Sequence, residues 1–168
     1  MSNRFATKTD DEIDVWIKNH EEKHQTHTDL YHALLEERSR RRSKLLNIEE
    51  SLQHLMASAR RCAFTTYGDL AGASGVAWEK ARHAMNGAGG HLDALLDVCH
   101  ARGLPLLTAI CVNQKGVLDG TLEPSALEGF AKGAQRLGYP VTDSLAFLRG
   151  CQTDCFKWGQ DSRAAAPD

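Results

Sequence analysis

The chain has 168 residues, 42% hydrophobic and 25% charged, with a formal net charge of −2 and a pI near 6.4. That length supports one domain with a real core plus an appendage, and the composition is that of a soluble globular protein. A near-neutral chain cannot hold nucleic acid by overall charge, so any such binding needs a local basic patch. No apolar run approaches the roughly 20 residues that a bilayer crossing needs. The opening MSNRFATKTDDE has no apolar signal core, so a cytoplasmic protein with no membrane contact is expected. Five cysteines at irregular spacing do not form a secreted disulfide framework.

Thr9 with Glu12 three positions later is a capping-box start, and Ile13, Trp16 and Ile17 share one face of the helix it opens. HEEKH at 20–24 follows. His20 and His24 at i and i+4 match the zinc-protease pattern, with Glu21 as general base and His27 as a third ligand. The same histidines also continue the apolar stripe to the end of a peripheral helix with no cleft residues nearby. That second reading is preferred, so no metal, cofactor or catalytic residue is expected. A second helix opens near Thr28 or Asp29, with Leu30, Tyr31, Leu34 and Leu35 on one face, and can run to RSRRRSK at 38–44. Arg40, Arg41 and Arg42 in this run either form a solvated helix end, favourable against the dipole, or assist in holding nucleic acid.

Asn47 can cap a third helix whose Ile48, Leu52, Leu55, Met56 and Ala59 lie on one side. Thr66 with Asp69 signals a fourth, ended by Gly75, and Trp78, Ala81, Arg82 and Met85 share a face of a fifth. NGAGG at 86–90 breaks it. Leu92, Leu95, Leu96 and Cys99 mark a sixth helix, with Asp93, Asp97 and His100 as its solvated polar side. LPLLTAICVN at 104–113 reads as a strand, and NQKG followed by Val117 and Leu118 as a turn and return strand, giving a β-hairpin. Pro124 opens a seventh helix with Leu127, Phe130, Ala131, Ala134 and Leu137 inward. A last helix from about Thr142 buries Leu145, Leu148, Cys151 and Cys155, the two cysteines being unreactive core thiols. The tail GQDSRAAAPD has nothing to bury and is expected to be disordered.

Three helices, with a tight turn before the third, followed later by a hairpin, is the order of a winged helix. The expected fold is therefore mainly α with a small β-hairpin: a helical extension at 1–46, a winged-helix-like core with C-terminal helices at 47–158, and a tail at 159–168. In such folds the helix after the tight turn enters the major groove, and the hairpin touches the backbone or minor groove. Thr65, Thr66 and Tyr67 would offer hydroxyls and helix N-terminal amides to a phosphate. Arg82 would supply reach and charge.

TTYGDLA, a Gly-ended turn and then KARHAM resemble the DNA-binding half of the O6-alkylguanine-DNA alkyltransferases and the alkyltransferase-like proteins. The resemblance covers roughly residues 60–120. It implies that Tyr67 helps rotate a nucleotide out of the duplex and that Arg82 fills the gap. The family's P-C-H-R segment has no counterpart, because Cys111 is followed by Val112 and Asn113. With no neighbour in sequence to lower its pKa, Cys111 is not expected to perform alkyl transfer. The expected function is non-catalytic binding of double-stranded DNA through Thr66, Tyr67, Arg82 and His83. Lys115 at the hairpin tip and Arg40, Arg41 and Arg42 would assist. The rival readings are a protein-interaction module or homodimer using the N-terminal helices, and a zinc hydrolase built on His20, Glu21 and His24.

Overall fold

Side-chain capping opens several of the helices, whereas those beginning at Trp78, His91 and Pro124 start without a side-chain cap. The computed structural model describes residues 3–42, 45–87 and 89–165; Ser43 and Lys44 of the basic run, Ala88 of the glycine-rich break and the last three residues of the tail lie outside the described residues. Helix α1 (Asp10–Glu22) opens on the expected capping box: Thr9 Oγ1 accepts from the Glu12 amide, and the Glu12 carboxylate accepts from the Thr9 amide at 2.7 Å. Thr28 receives the Tyr31 amide at the start of α2 (Asp29–Arg42), and Asn47 the Glu50 amide at the start of α3 (Ile48–Arg60). Thr66 does the same for Asp69 in α4 (Tyr67–Ala73). The turn to α5 (Trp78–Met85) uses Gly75 at φ +72°, a conformation a side chain would resist. Helices α6 (His91–Ala101), α7 (Pro124–Arg136) and α8 (Ser144–Ala165) complete the chain. Among the described residues no helix is long and apolar enough to cross a membrane.

The hairpin expected over 104–120 is not formed. Leu107–Ile110 is a 3-10 turn, and two short strands, β1 (Thr65–Thr66) and β2 (Cys111–Val112), pair in parallel with Thr65 opposite Cys111. The run 106–112 is apolar because all of it is buried, not because it is extended; a short apolar run cannot distinguish the two. A return strand is also unnecessary for hydrogen bonding. The buried Gln152 side chain donates to the Ala109 carbonyl at 3.0 Å and to the Gly120 carbonyl at 2.8 Å, closing the loop between them. Parallel pairing sets the C-terminal ends of both strands side by side, so Tyr67 and Asn113 emerge at one edge.

Helix α2 lies along α6, and α3 along α8. A single core cluster runs from Phe5 to Cys155, so the two N-terminal helices share a core with the region that follows them. Asp97, expected to be solvated, is only 3% exposed. Arg38 of α2 donates to its Oδ2 at 2.6 Å, and Arg136 of α7 to its Oδ1. Arg136 also reaches Glu21 of α1 at 3.1 Å, and Glu21 accepts the Tyr31 hydroxyl at 2.9 Å. The tail is corrected as well: α8 remains helical through residues 159–165. Gly159 packs so closely on the Ala59 and Arg60 backbone that a methyl group there would overlap it, and Arg60 reaches Ser162 at 3.2 Å. Leu148, Cys151 and Cys155 are buried as expected, whereas Leu145 is exposed.

Arg136→Met should leave Asp97 and Glu21 without their shared cation. Urea unfolding should show a loss of about 3–5 kcal/mol, the usual cost of stranding a buried charge. Partial recovery is expected in the double variant Arg136→Met, Asp97→Leu.

Acid should unfold the protein in two steps. Burial pushes His91, paired with Ser51 Oγ at 2.7 Å, down from 6.5 to about 4. Because the folded value lies below the unfolded one, its contribution is whole above pH 6.5 and is lost as pH falls through 4. Hydrogen bonds from Arg40 and then Arg41 outweigh burial and hold Glu37 down from 4.5 to about 2, giving a second loss below pH 4.5. Thermal midpoints measured against pH should lose the upper step in His91→Gln.

Candidate nucleic-acid interface

Tyr67 follows β1 directly and begins α4, so its ring is fixed where the strand ends. Trp78 opens α5 and lies nearly parallel to it, with ring centroids 6.4 Å apart and an interplanar angle of 17°. The two rings wall one side of a cleft of about 610 Å³ between β2, α6 and α7. Leu92, Leu96 and Phe130 give the cleft apolar walls, while Thr108, Cys111 and Asn113 stand near the strand end. Asn113 Oδ1 is buried there with no hydrogen-bond partner. Such an acceptor marks a place where a donor is missing.

Helix α5 forms one rim of this cleft. Ala81 and Met85 turn inward, leaving Lys80, Arg82 and His83 exposed. Among the described residues none of these three side chains makes a hydrogen bond or ion pair. Lys115, exposed in a 3-10 turn (Gln114–Gly116) rather than at a hairpin tip, is free in the same sense. Thr66 differs from expectation in being only 8% exposed, with its hydroxyl already committed to the Asp69 amide.

The basic run is occupied by the protein itself. Arg40 donates to Glu37 at 2.7 Å, and Arg42 pairs with Asp14 at 3.0 Å. Arg41 donates to Glu37, Asp10 and the carbonyls of Phe5 and Lys8, tying the N-terminal segment to α2. Sequence showed the cluster but not its carboxylate partners, two of which lie on α1.

Cys111 sits on the cleft wall, 1% exposed, and burial pushes its thiol up, with Asp69 adding to the effect. A protonated thiol is a poor nucleophile. Burial likewise pushes Tyr67 up, with Cys111 and Glu123 contributing. The zinc pattern is broken by backbone geometry: α1 ends at Glu22, and His24 lies outside it at φ +54°. His20 faces the Trp16 carbonyl, and Glu21 is held by Tyr31 and Arg136. No metal-binding group of three His, Cys, Asp or Glu occurs among the described residues.

Trp78 and Asn113, which line the cleft, and Lys80, exposed on α5, are candidate residues that sequence reasoning missed. Trp78 and Lys80 lie on the same helix as Arg82, so the KARHAM signal could have found them. Asn113 became visible only through strand pairing. Comparison with protein-family models, curated proteins and solved structures returned no match.

Native thiol titration should find Cys62 fast and the other four cysteines slow, because Cys62 is exposed and the rest are buried. Burial pushes Cys99 and Cys151 up to about 12 and moves Cys155 in the same direction. Cys62→Ser should abolish the fast phase.

Proposed function

We propose that the protein binds nucleic acid, most plainly double-stranded DNA, without performing chemistry on it. The observation that carries this reading is a set of unpartnered cations, Lys80, Arg82 and His83, on the exposed side of a helix that rims an aromatic-walled cleft. Elsewhere Arg38, Arg40, Arg41, Arg42, Arg102 and Arg136 are engaged by carboxylates. Cations left free on one helix face are the electrostatic footprint expected of a nucleic-acid contact in a chain with no net positive charge.

The resemblance to the alkyltransferase-like proteins adds a division of labour. Arg82 enters the duplex, and the cleft walled by Tyr67 and Trp78 receives an unstacked nucleotide. Stacking on such rings contributes about 1–3 kcal/mol per base. The missing P-C-H-R segment and the buried, protonated Cys111 favour binding without alkyl transfer. With no hairpin formed over 104–120, Lys115 stands on a short turn after β2, and the reading rests on the α4–α5 helix pair rather than on a wing.

Arg82→Ala should weaken binding to a duplex oligonucleotide by about 1–3 kcal/mol, measured by fluorescence anisotropy. Its thermal midpoint should stay with wild type, since an exposed substitution moves stability by less than about 0.5 kcal/mol. Wild-type affinity should fall steeply with salt as counterions are released. Affinity unchanged in Arg82→Ala would remove α5 as the contact.

A further inference from the structure

Behind the cleft lies a smaller cavity of about 150 Å³. Arg38, Ser39 and Arg42 of α2 face it from one side, Asp93 and Asp97 of α6 from another, and Arg136 of α7 closes it. Ser39 is 4% exposed, and its Oγ has no hydrogen-bond partner. A buried hydroxyl left unpaired in a cavity wall costs free energy unless something there completes it. This hydroxyl and the three arginines define the cavity's chemistry.

The cavity is rich in donors and short of free acceptors. Each guanidinium carries five N–H donors, about fifteen in all. Arg38 gives one hydrogen bond to Asp97; Arg136 gives one each to Asp97 and Glu21; Arg42 reaches Asp14 through Nη2. Both Asp97 oxygens are therefore taken, and Asp93 Oδ2 already accepts from the Gly89 amide at 2.9 Å. Gly89 admits Arg42 closely: an added Cβ would stand 3.3 Å from Arg42 Nη1.

Charge then limits what can enter. Three guanidiniums face two carboxylates, Asp93 and Asp97, in the lining and two more, Asp14 and Glu21, at their outer ends, so the cluster has no excess positive charge. What the cavity offers an oxyanion is therefore unused N–H donors and not surplus charge, which disfavours a doubly charged ion more than a singly charged one.

We infer that this cavity is a binding site for a singly charged phosphoryl oxyanion, held by Arg38, Arg42 and Arg136 with Ser39 as a further hydrogen-bond partner. Arg42, Gly89 and Ala94 also line a neighbouring depression that reaches His83 of α5, and Asp93 and Arg136 are shared with the aromatic cleft. The site thus continues the cationic face of α5, and a backbone phosphodiester of bound nucleic acid is one source of the anion, free phosphate the other. The first source rests on the nucleic-acid reading above; the site itself does not.

The test is calorimetric titration and thermal shift at pH 7 with inorganic phosphate and with dimethyl phosphate, each against chloride at equal ionic strength. Wild type should show a saturable rise in midpoint. Ser39→Ala and Arg42→Gln should weaken the anion by about tenfold, the loss of one charge-assisted hydrogen bond. Arg82→Ala should leave it unchanged. Without anion, Ser39→Ala should be at least as stable as wild type, which shows that the variant folds. Binding of dimethyl phosphate together with weaker oligonucleotide affinity in Arg42→Gln assigns the site to the nucleic-acid backbone. Binding of inorganic phosphate alone, with oligonucleotide affinity unaffected or absent, assigns it to free phosphate and leaves the inference standing even if the nucleic-acid reading fails. No saturable effect of either anion, or an effect retained in both variants, overturns it.

Discussion

A carboxylate as deeply buried as Asp97 must be compensated, and four helices are arranged around that requirement. Arg38 and Arg136 each take one of its oxygens, Arg136 extends to Glu21, and Glu21 receives the Tyr31 hydroxyl. The chain of contacts links α6, α2, α7 and α1. A hydrophobic contact tolerates sliding, whereas a guanidinium bonded to two carboxylates fixes the relative register of the helices that carry them. The N-terminal helix pair is therefore built into the fold rather than appended to it, and α2 can present Arg38, Ser39 and Arg42 to a cavity walled by α6 and α7.

That placement gives the basic run a different meaning from its appearance. A cluster of arginines on a helix end suggests a surface for anions, but Glu37, Asp10 and Asp14 have claimed most of it. Glu37 is itself buried and holds Arg40, Arg41 and Asn3, so these cations serve the packing of the N-terminal segment. Three free cations, Lys80, Arg82 and His83, lie instead on the short helix α5, where among the described residues Arg82 forms no ion pair. Pairing, more than the number of charges, decides which cations remain available to a partner.

The aromatic cleft depends on the smallest sheet that can exist. Two residues on each strand are enough to bring the start of α4 beside Asn113, and the direction of pairing matters more than its extent. An antiparallel hairpin would have carried the chain after Cys111 away along its own return strand. With parallel pairing, the same chain enters a tight turn braced by Gln152, and Tyr67, Cys111 and Asn113 share one wall. The tyrosine is aligned by backbone geometry and stacked by Trp78, so the wall is set before any ligand arrives.

Helix starts were legible in the sequence because capping and periodicity are local: Thr9, Asn47, Thr66 and Pro124 each act within a few residues of themselves. The α4–α5 turn was legible for the same reason, since Gly75 alone supplies the backbone conformation it needs. The sequence also determined that Cys111 lacks an activating neighbour along the chain. What it could not determine were relations between distant segments: the parallel pairing of 65–66 with 111–112, the burial of Asp97 between Arg38 and Arg136, the support of residues 159–165 by Ala59 and Arg60, and the unpaired side chain of Arg82. Each depends on which element packs against which. A short apolar run reads alike as a strand or as a buried turn, and a charged residue reads alike as solvated or paired. Tertiary structure settles such cases because burial and partnership are properties of contacts, not of residues.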